Sequence, residues 1–322
     1  MKISLLNLHD YILLFNNIFI YNYKHLTKKV KNIILIGVRC FIMKVKAYGK
    51  INIALDVIGK REDGYHLLKM IMQTVDIYDN LDFKIGNPGI HITSNKEFVP
   101  TDERNLVYKA IDLFCKTYNI KPCVSVHIEK NIPIEAGMAG GSSDAAAALR
   151  AMRDIYKPDI DDCELMKIGV KIGADVPYCI KGGTALCEGI GEIITELKSF
   201  KEKILVVVKP NFGVSTVDTY KRFKLDEVKE HPQIDNLIEA MSRDDLTYVA
   251  ENMMNLLETV TIKDYKEIEE LKDFINANGS LGSMMSGSGP TVFGWFTSED
   301  EAMICAEKLK NKYVDVFVTR TI

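Results

Sequence analysis

The residues best placed to do chemistry lie in "IPIEAGMAGGSSDAAAALR", residues 132–150. Gly137, Gly140 and Gly141 share this stretch with Ala139, Ser142 and Ser143, and an alanine-rich run of helical character follows at once. A helix start leaves its first backbone N–H groups without intrahelical partners. Glycine lets the chain turn there and lets a ligand approach the backbone closely. The helix dipole adds roughly half a positive charge, so a phosphate is the natural guest. Ser142 and Ser143 can cap the helix or donate to phosphate oxygens. A capped loop that binds nothing uses the same residues, so the loop alone leaves both readings open. Two nucleotide signatures are absent: no Lys follows the glycines as in G-x-x-x-x-G-K-[ST], and no G-x-G-x-x-G follows the preceding strand.

A second set of polar groups lies far upstream. Residues 45–58, "VKAYGKINIALDVI", alternate as a strand. Val45, Ala47, Ile51, Ile53, Leu55 and Val57 fall on one face, and Tyr48, Lys50, Asn52 and Asp56 on the other. Lys50 and Asn52 are thus a linked polar pair, although a solvated strand face would carry the same types. "GKREDGYH" (59–66) follows, with Asp63-Gly64 as a turn signal. Downstream, Asp175 in "GADVPY" suits either a proton acceptor or an N-cap with Pro177 in the first helical turn.

The whole chain bounds what these groups can serve. Its 322 residues predict about two domains. A net charge of −3 supplies no basic field for nucleic acid. Seven cysteines, at 40, 115, 123, 163, 179, 187 and 305, show no C-x-x-C pair and no His spacing suited to zinc. That pattern predicts buried thiols in a reducing cytoplasm, without a structural disulfide or a metal centre. The first 42 residues differ in kind, carrying +5 and leaving −8 for the rest. Asn16, Asn17 and Asn22 interrupt every apolar run there, short of the ~20 apolar residues of a membrane span. Residues 1–42 are therefore expected to lie outside the fold, which starts at Met43; a weak basic membrane-surface anchor is the alternative.

Periodicity gives the secondary structure around these groups. Short strands are predicted at 81–85 and 90–93, a helix over 105–118, and a strand at 124–128 leading into the glycine loop. Helices are expected over 143–156 and 162–172. "ILVVV" (204–208) reads as a buried strand that opens a second domain. Helical stretches near 233–257 and 264–276, strands at 283–285 and 291–296, a helix from Glu299 and a strand at 313–321 complete the chain. Ser298 and Glu301 form a capping box for that helix. The order is that of a split βαβ, ferredoxin-like unit. The expected domains are 43–200 and 201–322.

Three separated stretches, "AYGKINIALDVIGKREDGYH" (47–66), "IPIEAGMAGGSSDAA" (132–146) and "SMMSGSGPTVFGWF" (283–296), resemble the three motifs of the GHMP kinases, in that order. The resemblance spans essentially all of 43–322. It implies a two-domain α+β fold, with a ribosomal-protein-S5-like ATP-binding domain followed by a ferredoxin-like domain. It implies a cytoplasmic enzyme that phosphorylates a small-molecule alcohol with ATP, binding neither nucleic acid nor membrane. "GKREDGYH", "GGSSDAA" and "GADVPY" are similar to the branch whose acceptor is a cytidylyl diphosphate sugar alcohol of non-mevalonate isoprenoid synthesis. A homoserine- or mevalonate-type kinase, and a catalytically silent ATP-binding relative, are the alternatives.

Residue by residue, the resemblance makes Asp175 the base that accepts the proton of the attacking hydroxyl, with Lys50 beside it orienting that hydroxyl. Asn52 would orient the acceptor or Asp175. Tyr65 and His66 fall at the cytidine position, and Tyr220 at the aromatic covering the base's other face. The loop of Pro133, Ile134, Glu135 and Ala136, continuing through Gly137, Met138, Ala139, Gly140, Gly141, Ser142 and Ser143, would hold the ATP phosphates. Ala136 and Ala139 stand where many members carry glycine, and a methyl group at either place is tolerable if φ is negative. Asp144 follows in the first helical turn, and without a dedicated carboxylate cage Mg²⁺ is expected to arrive on the nucleotide. Ser286 to Pro290 is a second flexible loop that could close against the phosphates, a plain β-hairpin connection being the alternative.

Overall fold

A computed structural model describes residues 41–322. The expected extension lies outside the described residues except for Phe41 and Ile42, which open the first strand. That strand, β1 (Phe41–Lys60), pairs antiparallel with β2 (His66–Ile85) along the whole length of both, from Phe41 opposite Ile85 to Lys60 opposite His66. Periodicity finds only the far end of β2, because residues 70–75 are buried on both faces and do not alternate. β1 departs from its expected single buried face for the same reason. Register shifts at Tyr48/Lys50, Asn52/Ala54 and Val57/Gly59 re-aim its side chains, and every residue from Gly49 to Val57 is buried.

The first sheet continues with β3 (Gly89–Ser94), β4 (Cys123–Glu129), β5 (Thr184–Gly189) and β6 (Ile193–Glu196). The helices α1 (Leu106–Thr117), α2 (Gly140–Tyr156), α3 (Asp162–Gly169) and α4 (Val176–Lys181) are interleaved with them. Asn105 caps α1 by accepting from the Val107 N–H at 2.8 Å. Ala145 to Ala148 are fully buried in α2, and their small side chains let it lie close to β1 and α1.

The second half supplies β7 (Ile204–Lys209), α5 (Thr216–Arg222), α6 (Ile234–Ser242), α7 (Leu246–Asn252), β8 (Met254–Asn255), α8 (Glu258–Asp264), α9 (Lys266–Ala277), β9 (Gly282–Met285), β10 (Val292–Phe296), α10 (Glu299–Lys310) and β11 (Asp315–Arg320). The expected helix over 233–257 is instead two helices and a strand. Asp245 breaks it, capping α7 by accepting from the Tyr248 N–H at 3.0 Å. The four-stranded sheet runs β11-β7-β10-β9, all antiparallel, the ferredoxin-like order. The first sheet runs β3-β4-β2-β1-β8, so β8 carries the second half of the chain into it, parallel to β1 at Ala54 and Leu55. One apolar cluster joins Ile51, Ile53 and Ile71 to Phe200, Phe293 and Trp295, so the two sheets share a core behind the cleft between them. Cys115, Cys163, Cys179, Cys187 and Cys305 are free thiols. No helix among the described residues is long and apolar enough to cross a membrane.

Candidate active site

A cleft of about 890 Å³ opens where β1, the glycine loop, α4 and α5 meet. At its centre stands Lys50, on the stretch of β1 that is buried on both faces and only 4% exposed. Its ammonium donates to Asn52 Oδ1 at 2.7 Å and lies 3.9 Å from Asp175 Oδ2. Asn52, fully buried, turns its amide toward the Met70 sulfur at 3.5 Å. The pair that a solvated strand face would also have carried is thus folded into the interior. Asp175 occupies the N-cap position of α4, yet its side chain makes no capping bond. A third of that side chain is exposed, into the cleft, so the carboxylate stays open to a ligand.

The glycine loop meets α2 at its first turn. The first intrahelical bond runs from the Ser143 N–H to the Ala139 carbonyl at 2.8 Å, and no side chain caps the helix. The N–H groups of Gly140, Gly141 and Ser142 stand ahead of that bond at the cleft edge. The loop departs from the sequence pattern at two points. Ala139 adopts φ 57°, ψ 27°, the left-handed region, because the chain must reverse there to enter the helix. Ser142 and Ser143 lie inside the helix rather than at its cap, and the Ser143 hydroxyl turns away to donate to the Tyr48 carbonyl. Met138 is likewise buried away from the cleft, its methyl packed near Gly49. Pro133, Ile134, Glu135, Ala136 and Gly137 line the cleft.

The third motif packs directly on this loop. Ser286 Oγ donates to the Gly137 carbonyl at 3.1 Å, and Gly287 faces both Gly137 and Asn52. Asn255 anchors the motif from β8, donating to the carbonyls of Met285 and Gly287 at 2.8 Å each. Sequence periodicity gives no signal for Asn255, which sits inside an expected helix.

Beneath the helix start lies a buried ionic triad that the sequence reading did not single out. The Lys130 ammonium bonds Asp79 and, at 2.7 Å, Asp144. Asp79 also accepts from the Asn131 and Ile132 N–H groups, fixing the chain just before the glycine loop. Burial alone would lower Lys130, but Asp144 and Asp79 together raise it, so it stays an ammonium. Burial pushes Asp144 above the usual carboxylate range, Lys130 pulls it back, and the Asp79 charge adds to the rise. One Asp144 oxygen has no partner. Lys130 was legible in principle: it continues the inward parity of Val124, Val126 and Ile128.

At the other end, His66 and Tyr220 stack with ring centroids 5.3 Å apart and planes 29° from parallel, with Phe223 edge-on to His66. Rings this close leave no slot between them, so the pair forms one wall rather than two faces of a sandwich. Tyr65 stands separately at the rim, 60% exposed. Burial and the nearby Lys60 lower His66 from the usual imidazole value, which favours its neutral form. Burial raises the Tyr220 phenol, and the charge of Asp175 adds to the rise. No cluster of three His, Cys, Asp or Glu among the described residues has the arrangement of a metal site.

Family comparisons agree with this architecture. The model of the GHMP kinases N terminal domain matches residues 105–183, and that of the GHMP kinases C terminal matches 237–315. A 4-diphosphocytidyl-2-C-methyl-D-erythritol kinase of Clostridium beijerinckii is 57% identical over 280 residues, 87% of this chain and all of that protein. Its counterpart in Clostridium botulinum strain Alaska E43 is 59% identical over the same span. A solved 4-(cytidine 5'-diphospho)-2C-methyl-D-erythritol kinase superposes with a TM-score of 0.75 at 29% identity, covering 87% of this chain and 99% of that one. A homoserine kinase from Cytophaga hutchinsonii shares the fold, with a TM-score of 0.69 at 16% identity and coverage of 87% and 94%. With a two-sheet α+β fold and relatives of this identity matched along their whole length, the chain belongs to the GHMP kinases and, within them, to the 4-diphosphocytidyl-2-C-methyl-D-erythritol kinases.

Proposed function

We propose that the chain transfers the γ-phosphoryl group of MgATP to the 2-hydroxyl of 4-diphosphocytidyl-2-C-methyl-D-erythritol. The observation that carries the proposal is Asp175: a carboxylate left open by its helix, 3.9 Å from a buried lysine, in a cleft shared by the uncapped start of α2 and the His66–Tyr220 wall. The acceptor hydroxyl donates its proton to Asp175 as its oxygen attacks the γ-phosphorus, and the bond to the β-phosphate oxygen breaks to release ADP. The Lys50 ammonium, held by Asn52, steers the hydroxyl and offsets charge as it builds on the attacking oxygen. The free N–H groups of Gly140, Gly141 and Ser142 receive phosphate oxygens without reorganising, which is where most electrostatic stabilisation arises. Magnesium belongs to the nucleotide as substrate. Asp144 is tied to Lys130 and Ser143 Oγ to Tyr48, so neither side chain is poised to build a cage for the ion.

For the acceptor, the supporting features are the imidazole and phenol of His66 and Tyr220, a flat wall against which a cytosine can lie, with Tyr65 at the rim to cover it. The test is ADP release from MgATP with this acceptor beside mevalonate, homoserine and galactose. Turnover of the cytidylyl acceptor alone is expected. Turnover of another alcohol in its place would overturn the acceptor assignment, and nucleotide binding without any turnover would overturn the catalytic one.

A further inference from the structure

Two segments serving opposite ends of the cleft touch through side chains that the chemistry above does not use. α5 brings Tyr220 to His66, and Thr216, its first residue, stands one turn earlier on the same helix face. The Thr216 hydroxyl lies 2.7 Å from the hydroxyl of Ser288. Ser288 is buried, and two residues earlier in its loop Ser286 grips the Gly137 carbonyl of the phosphate loop. A second contact runs beside the first. Gly213, just ahead of α5, packs so closely on Glu135 that a Cβ at 213 would strike its carboxylate. Glu135 itself holds φ 51°, a conformation that persists in a non-glycine residue only where its surroundings fix it.

We infer that Thr216 is a positioning residue that couples acceptor binding to nucleotide binding; the inference rests on the acceptor reading given above. A base lying against Tyr220 orders the short α5. That order fixes the Thr216 hydroxyl on Ser288, and Ser288 holds the third-motif loop against Gly137. The nucleotide then meets a phosphate loop already set, and the ordering cost is met before it arrives. Linkage makes the effect reciprocal: each ligand tightens the other by one factor.

The test is calorimetric titration of the full chain with magnesium and the non-hydrolysable nucleotide AMP-PNP, with and without saturating 4-diphosphocytidyl-2-C-methyl-D-erythritol. In the wild type the acceptor is expected to tighten the nucleotide by about fivefold or more. Thr216→Val should lose most of that factor while binding each ligand alone within about threefold of wild type, and Thr216→Ser, which keeps the hydroxyl, should retain it. Ser288→Ala should lose the same coupling factor, whatever it does to the binding of either ligand alone, and the double variant should lose no more of that factor than either, as expected of one shared contact. A wild type without coupling, or a Thr216→Val that keeps it, would overturn the inference. Failure of the acceptor to bind a wild type that binds AMP-PNP would be a different result: it would remove the acceptor reading and the coupling with it.

Discussion

Gly137→Ala tests the packing of the glycine loop most severely. A Cβ at Gly137 would fall well inside 3.0 Å of the Ser286 carbonyl oxygen, 3.1 Å from that carbonyl carbon and 3.2 Å from the Gly289 nitrogen. All three are backbone atoms, so no rotamer change relieves the clash, and the glycine loop and the third-motif loop must part by roughly 1 Å. The φ of 72° adds the cost of a left-handed L-residue, about 1–2 kcal/mol. Parting also stretches the bond from Ser286 Oγ to the Gly137 carbonyl, for about 1 kcal/mol more. A displacement of that size at the phosphates is expected to lower kcat/KM for MgATP about 100-fold, with a loss in thermal stability of about 2–3 kcal/mol. Initial-rate kinetics at saturating acceptor, with a melting curve on the same sample, read both. A variant whose kcat/KM stays within about threefold of wild type would mean that the two loops are not held together where the proposed nucleotide site lies.

The other predictions come from single contacts. Ala139→Gly relieves the left-handed backbone at the start of α2 and should stabilise the protein by about 1 kcal/mol, read as a rise in Tm. Lys50→Met keeps the buried stem but removes the ammonium beside Asp175. It should lower kcat by about 10²-fold or more with little change in nucleotide affinity, measured by steady-state kinetics and calorimetry. Asp79→Ala strips Lys130 of a partner and leaves two N–H groups without an acceptor, so denaturant unfolding should show a loss of about 3–5 kcal/mol. Asp144→Asn should be neutral or stabilising, because Lys130 remains paired with Asp79. Since Asp144 is raised in the folded state, the native chain holds a proton that the unfolded chain has lost. Its contribution therefore declines as pH rises from the ordinary carboxylate range to the raised value, and the variant should lose that slope.

Much of the fold is legible in the sequence because its elements advertise themselves locally. "ILVVV", the Ser298 capping box and the alternation of Val124, Val126 and Ile128 each reappear as an element, and the second half closes into the ferredoxin-like order. What fails locally is what tertiary contact decides. The central run of β2 is buried on both faces, so alternation vanishes, and β8 is two residues held in place by pairing with β1 rather than by any propensity. In the site, residue types and motif spacing single out Lys50, Asn52, Asp175 and the glycine loop, and the fold gathers them at one cleft. Long-range placement hides the rest. Asp79, Lys130 and Asp144 become a triad only once β2, the loop and α2 are packed, and His66 and Tyr220 become one wall only when α5 lies against the start of β2. The left-handed Ala139 was unreadable because alanine rarely adopts that conformation.

In the proposed mechanism the open carboxylate of Asp175 accepts the proton of the acceptor hydroxyl. The most direct test of this step is single-turnover phosphoryl transfer by Asp175→Asn at saturating MgATP and 4-diphosphocytidyl-2-C-methyl-D-erythritol, with AMP-PNP affinity measured on the same preparation. Asparagine fills the same space and has no capping bond to lose. The rate is expected to fall by about 10²–10⁴-fold while nucleotide affinity stays within a few fold. A variant that transfers phosphate at a rate close to wild type would contradict the assignment.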